Sequence, residues 1–331
     1  MSQTKPDEHG ESTFTVLLAL AANVAVGFLK LVAGLITGSG ALLSEAAHSV
    51  GDSTTELLLL TALRRSARPA DRLHPFGYGK DRYFWSLIAA VAILVSGASF
   101  SVYEGIHTIV SGAESSQHSW LNYPVLAFAA VLEGSSFRQA LKQARGAAER
   151  GSRSVQSYVR DPDDPTVKSV VLEDSAALIG LVLAGLGVGL HQLTGSADWD
   201  GAASIAIGIL LIVAAFLLAR TCRGLLIGQQ ADLRLVAAIS DRLEEQPEIL
   251  DVVDLLTMMT GTNQVLVCAR VDFVGTVSSD QIEAACVRID EDLHREFTDL
   301  DEVFIQPVPR SDPALREKVH ARYGRVLADP E

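Results

Sequence analysis

Residues 39–60, "SGALLSEAAHSVGDSTTELLLL", have the length of a membrane span, yet Glu45, His48 and Asp52 stand in the middle. A span needs about 20 mostly apolar residues. A charge at the bilayer centre costs at least about 2.5–3.5 kcal/mol, so these side chains must face something other than lipid. Positions four apart lie on one face of a helix. His48 and Asp52 therefore point the same way, and Glu45 lies one turn earlier on roughly that face. Such a stripe requires a partner: a cation, a proton or a facing helix.

Working outward, five further stretches have spanning length. They are "FTVLLALAANVAVGFLKLVAGLI" near 14–36, "YFWSLIAAVAILVSGASFSVYEGIHTIV" near 83–110, "YPVLAFAAVLEGSSFRQAL" near 123–141, "SVVLEDSAALIGLVLAGLGVGL" near 169–190 and "GAASIAIGILLIVAAFLLA" near 201–219. Charge in the connecting loops provides an independent test. Residues 64–82 carry six Lys or Arg, among them Arg64, Arg65 and Lys80, and residues 142–168 carry another six, among them Lys142 and Arg150. The opposite loops, "TGSG", "SGAESSQHSW" and "HQLTGSADWD", carry none. Lys and Arg concentrate in cytoplasmic loops, so the pattern predicts six spans with both ends cytoplasmic.

The whole-chain averages, 48% hydrophobic residues and a net charge of −13 over 331 residues, conceal two regimes. From Gln229 onward the chain is polar, with 21 acidic against 10 basic residues, a net of −11. An acidic domain argues against nucleic acid and for cations as partners. Cys222, Cys268 and Cys286 form no CxxC or Cys/His cluster, which points to a reducing compartment without a disulfide framework. The N-terminal "MSQTKPDEHGEST" has neither the apolar core of a cleaved signal nor the Arg-rich character of a transit peptide, and is expected to stay attached. Within the tail, "DLRLVAAISDRLEEQ" has apolar residues at helical spacing. "ILDVVDLLTMM" and "NQVLVCARVDFV" are β-branched runs around a "TGT" turn. Ser278 or Ser279 is placed to cap the helix "SDQIEAACVRIDEDLHREF", and "VFIQPV" reads as a last strand. The predicted fold is a membrane all-α domain of six helices followed by a small cytoplasmic α+β domain ordered α-β-β-α-β, ferredoxin-like. The boundaries are an N-terminal tail at 1–12, the transmembrane domain at 13–228, the α+β domain at 229–310 and a C-terminal tail at 311–331.

The fifth predicted span brings Glu173 and Asp174 to its cytoplasmic half. One imidazole with two or three carboxylates suits a divalent metal such as Zn²⁺. The alternative is a structural polar network between helices. Asn23 and Lys30, seven residues apart, share a face of the first span. Lys30 is either a fixed counter-charge or a hydrogen-bond donor, because an ammonium cannot ligate a metal. Glu104 and His107 read as interfacial, and Glu133 in the fourth span fits either reading. No Ser/Lys or Ser/His pair and no HExxH motif points to an intramembrane enzyme. The readings that remain are a proton-coupled carrier of a metal, a carrier of an organic cation, and a membrane-tethered scaffold or sensor.

The stretch "GSGALLSEAAHSVGD" at 38–52 resembles the second span of cation diffusion facilitator transporters, and "HPFGYGKDRYFW" and "VLEDSAALIGL" are most similar to the branch of the animal mitochondrial zinc transporter and its bacterial relatives. The resemblance covers nearly the whole chain. It implies efflux of a divalent metal, usually Zn²⁺, from the cytoplasm by a homodimer, driven by inward proton flow, with no resident cofactor. The family's paired ligands on the second span match His48 and Asp52. Its His-x-x-x-Asp on the fifth span meets Asp174 but finds Val170 in place of the histidine, with Glu173 as the substitute candidate and Glu45 and Asn23 as accessories. A site richer in oxygen admits Mn²⁺, Fe²⁺ or Co²⁺. Asp71 and His74 match an accessory metal site of some members, but Tyr78 replaces its third ligand, and "HPFGYGK" reads mainly as a structured cytoplasmic turn. The tail has only His294 and His320, with Gln306 in the last strand, so no zinc cluster is expected there.

Overall fold

Close approach of helices in lipid favours small residues at their contacts, and the buried positions of the first two-thirds of the chain are rich in alanine. Ala41, Ala89, Ala98, Ala129 and Ala184 are fully buried, interleaved with Leu42, Ile207 and Leu211. The computed structural model describes residues 8–112, 119–150 and 165–323. Segments 113–118 and 151–164, which carry parts of two loops used in the charge argument above, lie outside the described residues, as do both chain ends.

The chain divides into two compact units. The first spans residues 1–69 and 81–223. Its elements are α1 (Glu8–Thr37), α2 (Gly40–Ser66), α3 (Asp81–Ser111), α4 (Asn122–Arg150), α5 (Pro165–Thr194) and α6 (Asp198–Ile227). Asp81–Ser111, Val171–Thr194 and Asp198–Ile227 are long and apolar enough to cross a membrane, which makes this an integral multi-pass membrane protein. Their outward side chains, such as Val95, Val182 and Phe216, are exposed apolar groups of the kind that lipid covers. α2 fails the same test of composition because its polar stripe interrupts the apolar run. It is instead the bundle's hub, packed against α1, α3 and α5. Its start is pinned from afar. Ser39 caps the helix by accepting from Leu42 N and donates its hydroxyl to Asp200 Oδ1 at 2.8 Å, while Ala41 N donates to Asp200 Oδ2 at 3.3 Å. α4 continues past the predicted span to Arg150, so Lys142 and Arg145 stand on a helix. Residues Ile93–Ala98 of α3 form a π-helical segment. Such segments are rare and concentrate at functional sites.

The second unit comprises residues 70–80 and 224–331. It contains α7 (Leu233–Glu244), β1 (Ile249–Gly261), β2 (Gln264–Phe273), α8 (Ser279–Glu296), β3 (Leu300–Pro307) and α9 (Pro313–Tyr323). β1 and β2 pair antiparallel across a turn in which Asn263 adopts φ 53°. Asn tolerates that left-handed conformation better than most residues. β3 pairs parallel with β2, Val267 opposite Val303, giving the order β1-β2-β3. A parallel neighbour needs a crossover, and α8 supplies it. Val265, Val267, Ala269, Val271 and Phe273 of β2 are buried at every second position. Ile239 and Leu243 of α7 and Ala285, Ile289 and Leu293 of α8 complete this core at helical spacing. Ser278 caps α8 in a full capping box with Gln281. Within 311–331, read above as a tail, Pro313–Tyr323 is helical. The local signal is an Asp-Pro start: Asp312 accepts from Ala314 N at 2.9 Å, and Pro313 takes the first helical position. Loop 70–80 lies against the β1–β2 turn, where a Cβ on Gly79 would fall 2.7 Å from Gly261 Cα.

Candidate functional site

The polar stripe of α2 points into the helix bundle. Glu45 is 0%, His48 2% and Asp52 9% exposed. His48 Nε2 lies 3.2 Å from Asp52 Oδ1, and His48 Nδ1 lies 3.9 Å from Glu45 Oε1. Neither contact has the alignment of a hydrogen bond. Both ring nitrogens and Glu45 Oε1 lack a hydrogen-bond partner among the described residues. Buried polar atoms are nearly always paired, so three unpaired atoms along one stripe mark a place that another species completes.

The facing helices bring more charge. Lys30 of α1, only 1% exposed, donates to Glu45 Oε2 at 3.0 Å and to Ser49 Oγ at 3.0 Å, and lies 3.8 Å from Glu133 Oε1 of α4. Lys30 fills both roles open to it in the sequence, counter-charge to Glu45 and Glu133 and hydrogen-bond donor to Glu45 and Ser49. Glu133, which fitted either reading, is buried as its second carboxylate partner. The sequence reading missed Glu56. One turn beyond Asp52 on the same stripe, it accepts from Asn23 Nδ2 at 2.8 Å and interacts electrostatically with Asp52, Asp174 and Glu133. The i, i+4 step from Asp52, which singled out His48, equally points to Glu56.

Asp174 of α5 accepts from Ser136 Oγ of α4 at 3.0 Å and is within electrostatic reach of Glu133, Asp52 and His48. Glu173, the next residue, is partly buried. Thus His48 and Asp52 are in direct contact, whereas the carboxylate of Asp174 is turned towards α4. Among the described residues, no three His, Cys, Asp or Glu side chains are gathered as a metal-coordinating shell. Two features keep neighbouring helices close to the stripe. Gly180 of α5 leaves room where a Cβ would collide with Glu45 Oε1. On α3, a Cβ on Gly97, within the π-helical segment, would sit 3.9 Å from His48 Cα.

The accessory pair in loop 70–80 is differently employed. Asp71 accepts from the backbone N–H groups of Leu73 and His74 at 2.9 and 2.8 Å and from the Tyr78 hydroxyl at 2.7 Å. His74 Nδ1 is 3.5 Å from Asp71 Oδ1, and the His74 and Tyr78 rings lie 4.3 Å apart. The Tyr78 hydroxyl, followed by the His74 and Leu73 amides, holds the Asp71 carboxyl below the usual carboxylate range. These bonds build a turn, as the sequence reading of "HPFGYGK" anticipated.

Comparison with known proteins adds to this geometry. The family model of the cation efflux transmembrane domain matches residues 16–227. A mitochondrial proton-coupled zinc antiporter of Mus musculus is 32% identical over 84% of the chain and 50% of its own length. Metal tolerance protein C4 of Arabidopsis thaliana is 29% identical over 81% of the chain and 58% of its own length. The manganese efflux system protein MneP of Bacillus subtilis is 24% identical over 88% of the chain and 94% of its own length. The chain spans about half the length of the animal relatives it matches.

Proposed function

We propose that this chain, which belongs to the cation diffusion facilitator family, moves a divalent metal, Zn²⁺ first, out of the cytoplasm in exchange for protons. The observation that carries the reading is the buried His48–Asp52 pair, 3.2 Å apart, with both imidazole nitrogens unpaired. Neutral imidazole and carboxylate are borderline and hard donors that together suit Zn²⁺. Asp174 is the ligand from the facing helix, with Glu173 as the fourth candidate and Glu45 and Asn23 in accessory roles, while Asp71 and His74 serve the turn at 70–80. A proton on His48 occupies the lone pair that a metal needs, so proton and metal exclude each other at this residue. Rocking of the bundle would then turn the loaded site from one side of the membrane to the other.

In this reading all six long helices span the membrane, both chain ends are cytoplasmic, and the protein works as a homodimer in a plasma membrane. Support for six spans comes from helix length and from Lys and Arg concentrated in alternate loops, which six spans place on one side of the membrane. The α-β-β-α-β order of the second unit supports a ferredoxin-like tail. A carboxylate-rich stripe, together with a relative named for manganese efflux, keeps Mn²⁺ as the second cargo to test.

The test is uptake into proteoliposomes under an imposed pH gradient, screened over Zn²⁺, Mn²⁺, Fe²⁺ and Co²⁺. Metal accumulation that collapses when the gradient is dissipated supports the reading. Equal accumulation without a gradient, or none for any metal, overturns it. Glu173→Gln decides between two shells: loss of transport places Glu173 in the site, and normal transport leaves Asp174 as the ligand from α5.

A further inference from the structure

Away from the α2 stripe, a second group of polar side chains is buried where α1 and α5 end and α2, α4 and α6 begin. Thr37, Ser39, Asn122, His191 and Asp200 line a small cavity there, about 10 Å³ in volume, with room for one water-sized species. Asn122 and Asp200 are each only 1% exposed. Asn122 Oδ1 and His191 Nε2 are buried and have no hydrogen-bond partner among the described residues. Buried polar atoms are nearly always paired, so two unpaired atoms on the walls of one cavity call for an occupant. Asp200 sets the charge of that occupant. Its oxygens accept from Ser39 Oγ and Ala41 N, both neutral donors, and His191 is within its electrostatic reach. Buried charges are paired or coordinate metals, and a carboxylate held by neutral donors favours a cation beside it.

We propose that Asn122, His191 and Asp200 form a second cation site, which receives the divalent metal after it leaves the His48–Asp52 pair; this rests on the transport reading above. A carboxamide oxygen, an imidazole nitrogen and a carboxylate suit the same borderline-to-hard metals as the first site. Three protein donors leave a coordination position open to water, the arrangement of a site that exchanges its contents rather than of a closed structural one. The two sites are distinct. His48 is nine residues along α2 from Ser39, about 13 Å at 1.5 Å per residue. The other end of α2 carries Arg64 and Arg65. Lys and Arg mark the cytoplasmic side, so the cavity belongs to the side where exported metal is released.

The experiment uses the full-length protein in lipid nanodiscs with Mn²⁺ as the probe, and pulsed EPR to detect an imidazole nitrogen on the bound ion. In a His48→Ala/Asp52→Ala background, which removes the first pair, Mn²⁺ should still bind with imidazole coupling. Adding His191→Ala should abolish that coupling, and adding Asn122→Asp instead should tighten binding by supplying a second carboxylate. Should the background variant fail to fold, His191→Ala in the otherwise native chain should bind one fewer Mn²⁺ per chain. In proteoliposomes His191→Ala alone should lower the maximal rate of zinc uptake severalfold without raising KM, because the site acts after the metal has been taken up. No imidazole-coupled Mn²⁺ in the background variant, or the same coupling after His191→Ala, overturns the site and leaves the cavity to water only. An unchanged maximal rate in His191→Ala overturns its part in release. Transport by His48→Ala/Asp52→Ala separates the two ideas. If that variant transports zinc normally, the His48–Asp52 reading fails, and a signal at His191 then marks a site that receives nothing from it. If it transports none yet binds Mn²⁺ through His191, both stand.

Discussion

At the scale of single residues, the stripe on α2 divides its labour by accessibility. His48 faces Asp52 with both ring nitrogens unpaired, whereas Glu45 is paired through one of its oxygens with Lys30. Two predictions belong here. Asp52→Ala should abolish metal transport, since it removes the carboxylate in contact with His48, while His48→Asp keeps a donor of harder character and should shift preference from Zn²⁺ towards Mn²⁺. Competition uptake with both metals measures the shift, and an unchanged ratio would remove His48 from the coordination shell. Lys30→Met strands Glu45 and Glu133 in the bundle without a cation. Breaking a buried pair in this way costs about 3–5 kcal/mol, so the variant should unfold at clearly lower temperature in the same detergent. A melting temperature within a degree or so of wild type would mean that the two carboxylates find protons or other partners at little cost.

At the scale of elements, the ends of α8 show how local bonds order the second unit. Its start is held by the reciprocal Ser278–Gln281 box. Ser278→Ala should cost about 1 kcal/mol, visible as faster hydrogen exchange at the Gln281 amide with β2 unaffected. The far end is held by His294. Its Nδ1 lies 2.9 Å from the Asp290 carbonyl, and its Nε2 3.5 Å from the Asp301 carbonyl at the start of β3. The hydrogen bond to the Asp290 backbone is the first cause that holds the imidazolium above its usual value, with the Asp301 carbonyl and the Asp290 and Glu302 carboxylates adding to it. A raised imidazole stabilises the fold when protonated. The contribution is complete below the unfolded value of about 6.5 and is lost as pH rises through the higher folded value. Hydrogen exchange at the α8–β3 junction should therefore be slower at pH 6 than at pH 8 beyond the intrinsic rate change. His294→Ala should erase that difference, and its persistence would assign the effect to other groups.

At the scale of the whole molecule, the charge pattern of the loops makes a topological prediction. Arg65 at the end of α2 and Thr194 at the end of α5 are both exposed. In a background without Cys222, Cys268 and Cys286, an impermeant thiol reagent added to intact cells should label Thr194→Cys and spare Arg65→Cys until the membrane is permeabilised. Labelling both before permeabilisation would refute the six-span arrangement, because these positions must lie on opposite sides if every long helix crosses.

The local pattern of residues was sufficient for the helices, the strand pair with its turn, and the polar face of α2. These follow from periodicity and capping, which depend on neighbours a few positions apart. The same periodicity contained Glu56, one more step along the stripe, and an Asp-Pro helix start at 312–313, and both were legible to a fuller application of one rule. What only the tertiary structure decided is which charges meet. Lys30 and Glu45 are 15 positions apart, and Glu133 arrives from a third helix. No spacing rule sets the rotation and depth of one helix against another, because small residues such as Gly180 permit close contact without dictating the partner. The same holds in the tail, where Asp254 is buried between Arg270 of β2 at 3.0 Å and Arg322 of α9 at 2.8 Å. Charge complementarity over such separations costs nothing to write in a sequence and becomes specific only when packing brings the groups together out of water.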